Sequence, residues 1–366
     1  MFAVKTERRP VVSLIKETVE NIRPLDESVF KEARAKIDNL VKPIGSLGRL
    51  EEIAAKISGI TGRLHNVINK KNIIVMCADN GVMKEGVSSS PQNLTAILTD
   101  NATRGIMGVN VLSDYVRSDV TIVDVGVNAD FDNPDIINKK IAYGTKSIAE
   151  GAAMTRDEAL RAIDAGIEIT EDLVKNGYDL LGVGELGMGN TTTSAAVFSV
   201  LSGMDSDIVV GRGAGLADEQ YQNKKRIVKK SIEINGADKN DVIDILSKVG
   251  GFDIAAMCGC FLEAARRRVP VVIDGFISSA AALCAYRLNS FSRDYMFASH
   301  LSAEPGSKYI LNELGLDPIL DLKMRLGEGS GCPLAFMIIE AALHTMNNMG
   351  SFKDAEINDD FLIDIR

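Results

Sequence analysis

The stretch YDLLGVGELGMGNTTT, residues 178–193, runs from an apolar segment through a glycine-rich turn into threonines that open a helical pattern. Apolar strand, glycine loop and helix start, in that order, form the repeating unit of a parallel α/β sheet. The loop then falls at the carboxyl end of the strand, where such sheets bind their ligands. The stretch also holds G-x-G-x-x-G at Gly182, Gly184 and Gly187, the spacing of a dinucleotide loop. Three features argue against that reading. The third glycine of a dinucleotide fingerprint lies inside the helix, whereas GMGN keeps this chain in a loop. The acid that should end the next strand falls at Asp205 or Asp207, in LSGMDSD, which reads as a turn. Glu185 also puts a carboxylate where a phosphate would have to come close.

Outward from this unit the same alternation repeats. Short β-rich runs occur at 72–79, 120–127, 179–185, 269–276 and 294–300, separated by helical patterns at about 93–113, 155–175, 191–202, 216–234, 252–267 and 278–290. Near-continuous apolar strands alternating with helices imply a parallel sheet covered on both faces. Residues 1–70 read as helical, and 306–349 read as helical again, ending in an apolar helix with a glycine stop at Gly350. The expectation is a large α/β domain over 71–350 and a smaller helical domain over 1–70, which the C-terminal helices are candidates to complete. An acidic tail follows over 351–366.

Bulk properties narrow the function. The net charge of −9 disfavours a general nucleic-acid or anionic-membrane surface, both of which select basic patches. It leaves room for a local cationic pocket for one phosphate. Five scattered cysteines with no C-x-x-C describe neither a disulfide framework nor a zinc site, and suit reduced thiols in a cytoplasmic protein. The three histidines lie far apart in sequence, so no histidine-based metal site is expected.

Polar or glycine-rich sequence follows several strands: ADNGVMKEGVSSSPQNLT (78–95), VVGRGAG (209–215), IDGFISS (273–279) and ASHLSAEPG (298–306). A further element, MRLGEGSG (324–331), precedes the last apolar helix. One such loop is an ordinary turn; several at strand ends point to a shared small-molecule site. Asn190 to Thr193 at a helix start suit a phosphate, since backbone N–H groups are unpaired there. Lys224 is a candidate cation for that phosphate, although the surrounding YQNKKRIVKK reads by periodicity as a solvated helix face.

Eight segments together resemble the nicotinate-nucleotide:dimethylbenzimidazole phosphoribosyltransferase family, which makes the lower-ligand nucleotide of cobalamin. They are KPIGSLGRLE (42–51), ADNGVMKEGVS (78–88), GELGMGNTTTSAA (184–196), GRGAG (211–215), GGFDIAAMCG (250–259), IDGFISSAAAL (273–283), SHLSAEPG (299–306) and MRLGEGSG (324–331). The resemblance implies a Rossmann-like parallel sheet flanked by helices, a small helical domain and a homodimer. It implies that a benzimidazole nitrogen attacks C1′ of nicotinate mononucleotide, nicotinate leaves and the anomer inverts. The leaving group is already a pyridinium, so this chemistry requires neither leaving-group protonation nor a metal, and no cofactor is expected.

By the same resemblance Glu328 is the catalytic base, with Glu185 facing the ribose or the cationic ring. Gly187, Gly189, Asn190, Thr191, Gly213, Lys224, Gly275 and Ser302 would hold phosphate and ribose. Ser88, Gln92 and Leu326 would line the aromatic-base pocket. Glu328 precedes the last helix, whose positive end would lower its pKa, while an apolar pocket would raise it. The chain departs from the family pattern at Asn80, commonly histidine, and at Ser90, commonly aromatic, which leaves the accepted base open. The competing functions are a nucleotide N-glycosidase, with water in place of the base, and a non-catalytic nucleotide-binding regulator.

Overall fold

The computed structural model describes residues 11–358, 360 and 362–364. The first ten residues of the predicted helical segment, and Asp359, Phe361, Ile365 and Arg366 of the acidic tail, lie outside them.

In chain order the elements begin with helices α1 (Val11–Asn21), α2 (Glu27–Asp38) and α3 (Arg49–Thr61), then strand β1 (Lys71–Ala78). Next come α4 (Leu94–Thr103), α5 (Gly108–Tyr115), β2 (Asp119–Gly126), β3 (Ile136–Asn138), α6 (Arg156–Lys175) and β4 (Leu180–Leu186). The chain continues with α7 (Asn190–Ser202), the single turn α8 (Ser206–Val209), α9 (Asp218–Asn235), α10 (Val242–Val249), α11 (Phe252–Arg266) and β5 (Val271–Ile273). It ends with α12 (Phe276–Leu288), β6 (Met296–His300), α13 (Ser307–Leu314), β7 (Pro318–Leu320) and α14 (Cys332–Asn348).

The seven strands form one sheet in the order β3-β2-β1-β4-β5-β6-β7, and every pairing is parallel. Every residue of β4, and all of β1 after Lys71, is buried, as expected where helices cover both faces. Strand order reverses between β1 and β4, so the carboxyl ends of these neighbours open the crevice in which doubly wound sheets hold ligands. β4 pairs Gly184 with Val75 and Glu185 with Met76, which brings Glu185 to the lip of that crevice.

α2 and α3 pack on each other, and α14 packs on α3. α1 lies instead against α6 and α11, on one face of the sheet. A buried ion pair, Lys42 Nζ to Glu51 Oε1 at 2.7 Å, ties the loop between α2 and α3 to the start of α3. An antiparallel bridge from Leu40 to Ser351 fastens the beginning of the tail to the same unit.

The five predicted strands all form, and four features differ from the sequence reading. β3 and β7 are three-residue strands too short to leave a pattern, and β7 interrupts a segment read as helical. Pro318 opens β7 at the sheet edge, where a missing N–H is tolerated. The helix expected over 93–113 is two helices, broken at residues 104–107 with Gly105 at φ +75°. α10 was not anticipated, although Asp241 caps it by accepting from the Ile243 and Asp244 N–H groups.

Candidate active site

The carboxyl ends of β4, β5 and β6, with the segment between β1 and α4 and the loop before α14, enclose a cavity of about 250 Å³. Eleven of the residues expected at the site line it: Ser88, Glu185, Gly187, Gly189, Asn190, Thr191, Gly213, Gly275, Ser302, Leu326 and Glu328. Lys224 stands behind the wall, donating from Nζ to Thr191 Oγ1 at 2.8 Å. Gln92 does not line the cavity; its amide turns to the Asp79 carboxylate. Leu94 and Leu98 of α4, one helical turn apart, form the apolar wall near Ser88 instead.

The structure revises the meaning of the opening glycines. Gly182 and Gly184 lie within β4, not in a phosphate loop. A Cβ on Gly184 would stand 2.3 Å from Gly329 N, and one on Gly182 would stand 2.7 Å from Cys332 Cβ. Their bare backbone is the bed on which the 327–331 loop and the start of α14 lie. That loop takes three left-handed residues in succession: Gly327 at φ +83°, Glu328 at +64° and Gly329 at +86°. Glu328 is the one residue of the three for which this conformation is strained, and such strain persists where the surroundings fix it. Asp274, just beyond β5, supplies the fixing contacts. Its carboxylate accepts from Gly329 N at 3.1 Å and from Gly331 N at 2.7 Å. Gly184→Ala should therefore push this loop off the strand, lowering the melting temperature by several degrees for an overpacking penalty of about 1–3 kcal/mol. Turnover should fall further than stability explains; a variant with wild-type melting and turnover would contradict the seating.

Glu185, Asp274 and Glu328 line the cavity by the ends of β4 and β5, and Asp253 of α11 stands behind Asn190. Burial pushes Glu185 well above the usual glutamate range, against a hydrogen bond from the Asn190 amide, with Asp253, Asp274 and Glu328 adding repulsion. The same amide reaches Asp253 Oδ2 at 3.1 Å, so Asn190 bridges two acids. Burial raises Asp253 to about 6 and Asp274 to about 7. Glu328 is raised too, by burial, against backbone hydrogen bonds that favour its charged form. Those bonds come from α5, with Val109 N–H 3.2 Å from Glu328 Oε2, and not from α14 as the sequence suggested. Among the described residues, no group of three or more His, Cys, Asp or Glu side chains is placed to hold a metal ion.

Cationic groups adjoin these acids, with Asn190 at the start of α7 as the link. α7 begins at Gly189 (φ +90°) with no side chain capping its amino end, which leaves its positive pole to the cavity. Lys224 is 1% exposed, so the solvated-face reading fails. Burial lowers its pKa to about 8, and the nearby Glu304 carboxylate works the other way. The Gly213 peptide is held at both poles, its N–H by Glu304 Oε1 at 2.9 Å and its C=O by Arg325 Nη1 at 3.4 Å. The cavity thus sets a buried lysine and a helix amino end beside a cluster of acids.

Sequence reasoning did not single out Asp253, Asp274, Glu304 or Arg325. All four lie inside segments that drew attention as motifs, and Asp274 had a readable signal, since it is the first polar residue after a buried strand.

Comparison with known proteins gives the family and supports the fold. A phosphoribosyltransferase family model matches residues 22–357. The chain is 57% identical to a nicotinate-nucleotide–dimethylbenzimidazole phosphoribosyltransferase from Clostridium tetani over 357 residues, covering 97% of this chain and 99% of that one. It is 53% identical to the protein of the same name from Ruminiclostridium cellulolyticum, covering 93% and 97%. A crystal structure of CobT from Thermus thermophilus superposes with a TM-score of 0.87 at 36% identity, covering 91% of this chain and 99% of that one.

Proposed function

The chain belongs to the nicotinate-nucleotide–dimethylbenzimidazole phosphoribosyltransferase family, and from that premise we propose how its cavity performs the transfer. The enzyme moves the phosphoribosyl group of nicotinate mononucleotide to 5,6-dimethylbenzimidazole, giving α-ribazole 5′-phosphate and nicotinate.

The observation that carries this reading is a cavity that sets a buried lysine and a helix amino end beside a cluster of acids. Nicotinate mononucleotide has the matching polarity, with a dianionic phosphate at one end and a pyridinium on C1′ at the other. The α7 amino end, Thr191 and Lys224 take the phosphate, with Gly213 closing over it. Glu185 and the neighbouring acids face C1′: burial favours their neutral forms in the empty cavity, the docked pyridinium favours the ionised form, and the resulting carboxylate stabilises the positive charge that develops as the glycosidic bond lengthens. A benzimidazole nitrogen attacks C1′ from the opposite side, and the new C–N bond forms as the old one breaks. The old bond's electron pair returns to the pyridinium nitrogen, so nicotinate leaves without needing a proton. The attacking ring is left cationic, and Glu328 removes its N–H proton. A carboxylate raised by burial suits that step, because its basicity approaches the working pH. Leu94, Leu98, Phe276, Ile277 and Leu326 offer apolar surface to a flat heterocycle.

The direct test is product analysis of the purified protein with nicotinate mononucleotide and a panel of acceptors, including dimethylbenzimidazole, adenine and phenol. One α-ribotide per nicotinate released is expected. Nicotinate release at the same rate without any acceptor would mean hydrolysis and would overturn the transfer reading.

We further propose a homodimer working in the cytoplasm. Ile106, Val111 and Tyr115 are exposed apolar residues in and just before α5, beside the equally exposed Leu326, and they favour a second copy as cover. The five free, buried cysteines accord with a reducing compartment.

A further inference from the structure

The break between α4 and α5 does more than turn the chain. Were residues 93–113 one helix, the Val109 N–H would be spent on a carbonyl four residues earlier. The break gives α5 a first turn of its own, with N–H groups that need outside acceptors. Glu328 Oε2 is one such acceptor, 3.2 Å from Val109 N, and the Gly108 N–H turns to the same carboxylate. Gly108 also lies directly against the segment that carries Leu326 and Glu328. A Cβ there would stand 2.6 Å from Leu326 Cδ2 and 3.2 Å from Glu328 Oε2.

We infer that the amino end of α5 is the positioning element of the base: the Val109 N–H fixes Oε2, which leaves Oε1 as the proton acceptor, and the bare Gly108 makes the space in which Glu328 and Leu326 stand. This rests on the reading of Glu328 as the base. The sequence distance is 219 residues, so the base is held by an element remote from its own loop. Asp274 anchors the backbone of the 327–331 loop at Gly329 and Gly331, which leaves the Glu328 carboxylate itself to α5. The charged or titratable groups that share the cavity with Glu328 are Glu185 on β4, Asp274 after β5, His300 on β6, Glu304 after β6 and Arg325 on its own loop, and Glu185 and Asp274 feel its charge. The first turn of α5 carries no acidic side chain and contributes main chain alone.

Two substitutions test the inference. Val109→Pro removes one N–H and keeps a buried apolar body, in the helical turn where proline is tolerated. Gly108→Ala keeps both N–H groups and crowds the carboxylate. With the fold verified by circular dichroism, each should lower kcat by up to about 10²-fold, the scale of a small misplacement of a reacting group. The dissociation constant for nicotinate mononucleotide should stay within about 3-fold, since its phosphate end is untouched. In Val109→Pro the acid limb of kcat/KM should also move to higher pH, because the carboxylate loses a bond that favours its charged form. Gly108→Ala should in addition raise KM for the acceptor base, through Leu326. A folded Val109→Pro or Gly108→Ala enzyme with wild-type kcat and an unmoved acid limb overturns the inference. Glu328→Gln separates the two readings. If it is active, the base assignment itself fails; if it is inactive while the α5 variants are normal, only the positioning role fails.

Discussion

Glu328→Gln should lower kcat by about 10²–10⁴-fold, the usual contribution of a general base, while nicotinate mononucleotide binds within about 2-fold of wild type. Glutamine keeps the side chain's size and an oxygen for the Val109 N–H, so the 327–331 loop has no reason to move. What it loses is the capacity to take the benzimidazole proton. Single-turnover rates and calorimetric affinities, measured side by side, separate the two effects. The wild-type pH profile gives an independent check. Burial raises the Glu328 pKa, and the base must be ionised to act. Activity should therefore be full above the raised pKa and fall as pH drops through it, with the bend lying higher than an ordinary glutamate would give. Loss of that bend in Glu328→Gln, with the residual rate independent of pH, would identify the titrating group. A variant retaining more than a tenth of wild-type turnover would show that the proton leaves by another route.

The strand and helix pattern was legible because parallel strands buried on both faces are mostly apolar, as β1 is from Ile73 to Ala78, β4 is but for Glu185, and β5 is throughout. The site loops were legible because they follow those strands. What escaped the sequence was set by contacts between distant segments. The glycines at 182 and 184 look like phosphate binders, yet they make room for Gly329 and Cys332, which lie about 150 residues downstream. Glu328 sits before α14 in sequence but takes its hydrogen bond from α5, and no local pattern reports that. Gln92 lies close to Ser88 in the chain, yet Asp79 draws its amide away from the cavity. Lys224 is the instructive case. The buried face of α9 is Lys224, Ile227, Val228 and Ser231, an i, i+3, i+4, i+7 stripe. Lys224 occupies a core position of that stripe, so counting charges in YQNKKRIVKK obscured a cation that the helical period already placed inside.

That placement leads to the second large effect. Lys224→Met should raise KM for nicotinate mononucleotide by at least about 30-fold, the low end of what removing one member of a buried charged pair costs. kcat at saturation should change little, because the phosphate is bound equally in the ground and transition states. Nicotinate riboside, which lacks the phosphate, provides the control. The wild-type enzyme should use it poorly, and Lys224→Met should use it no worse than wild type does. Equal losses on both substrates would mean that the lysine shapes the pocket without meeting the phosphate. The pH dependence follows from burial, which lowers the ammonium pKa to about 8. The free enzyme carries the charge below that value and loses it above, so kcat/KM for the nucleotide should decline as pH rises through about 8. The riboside should show no such decline. Stability should move the other way from affinity. Methionine fills the same space without a charge to desolvate, so the variant should melt at or above the wild-type temperature near neutral pH. A lysine that weakens the empty protein and strengthens the occupied one is placed there for its ligand.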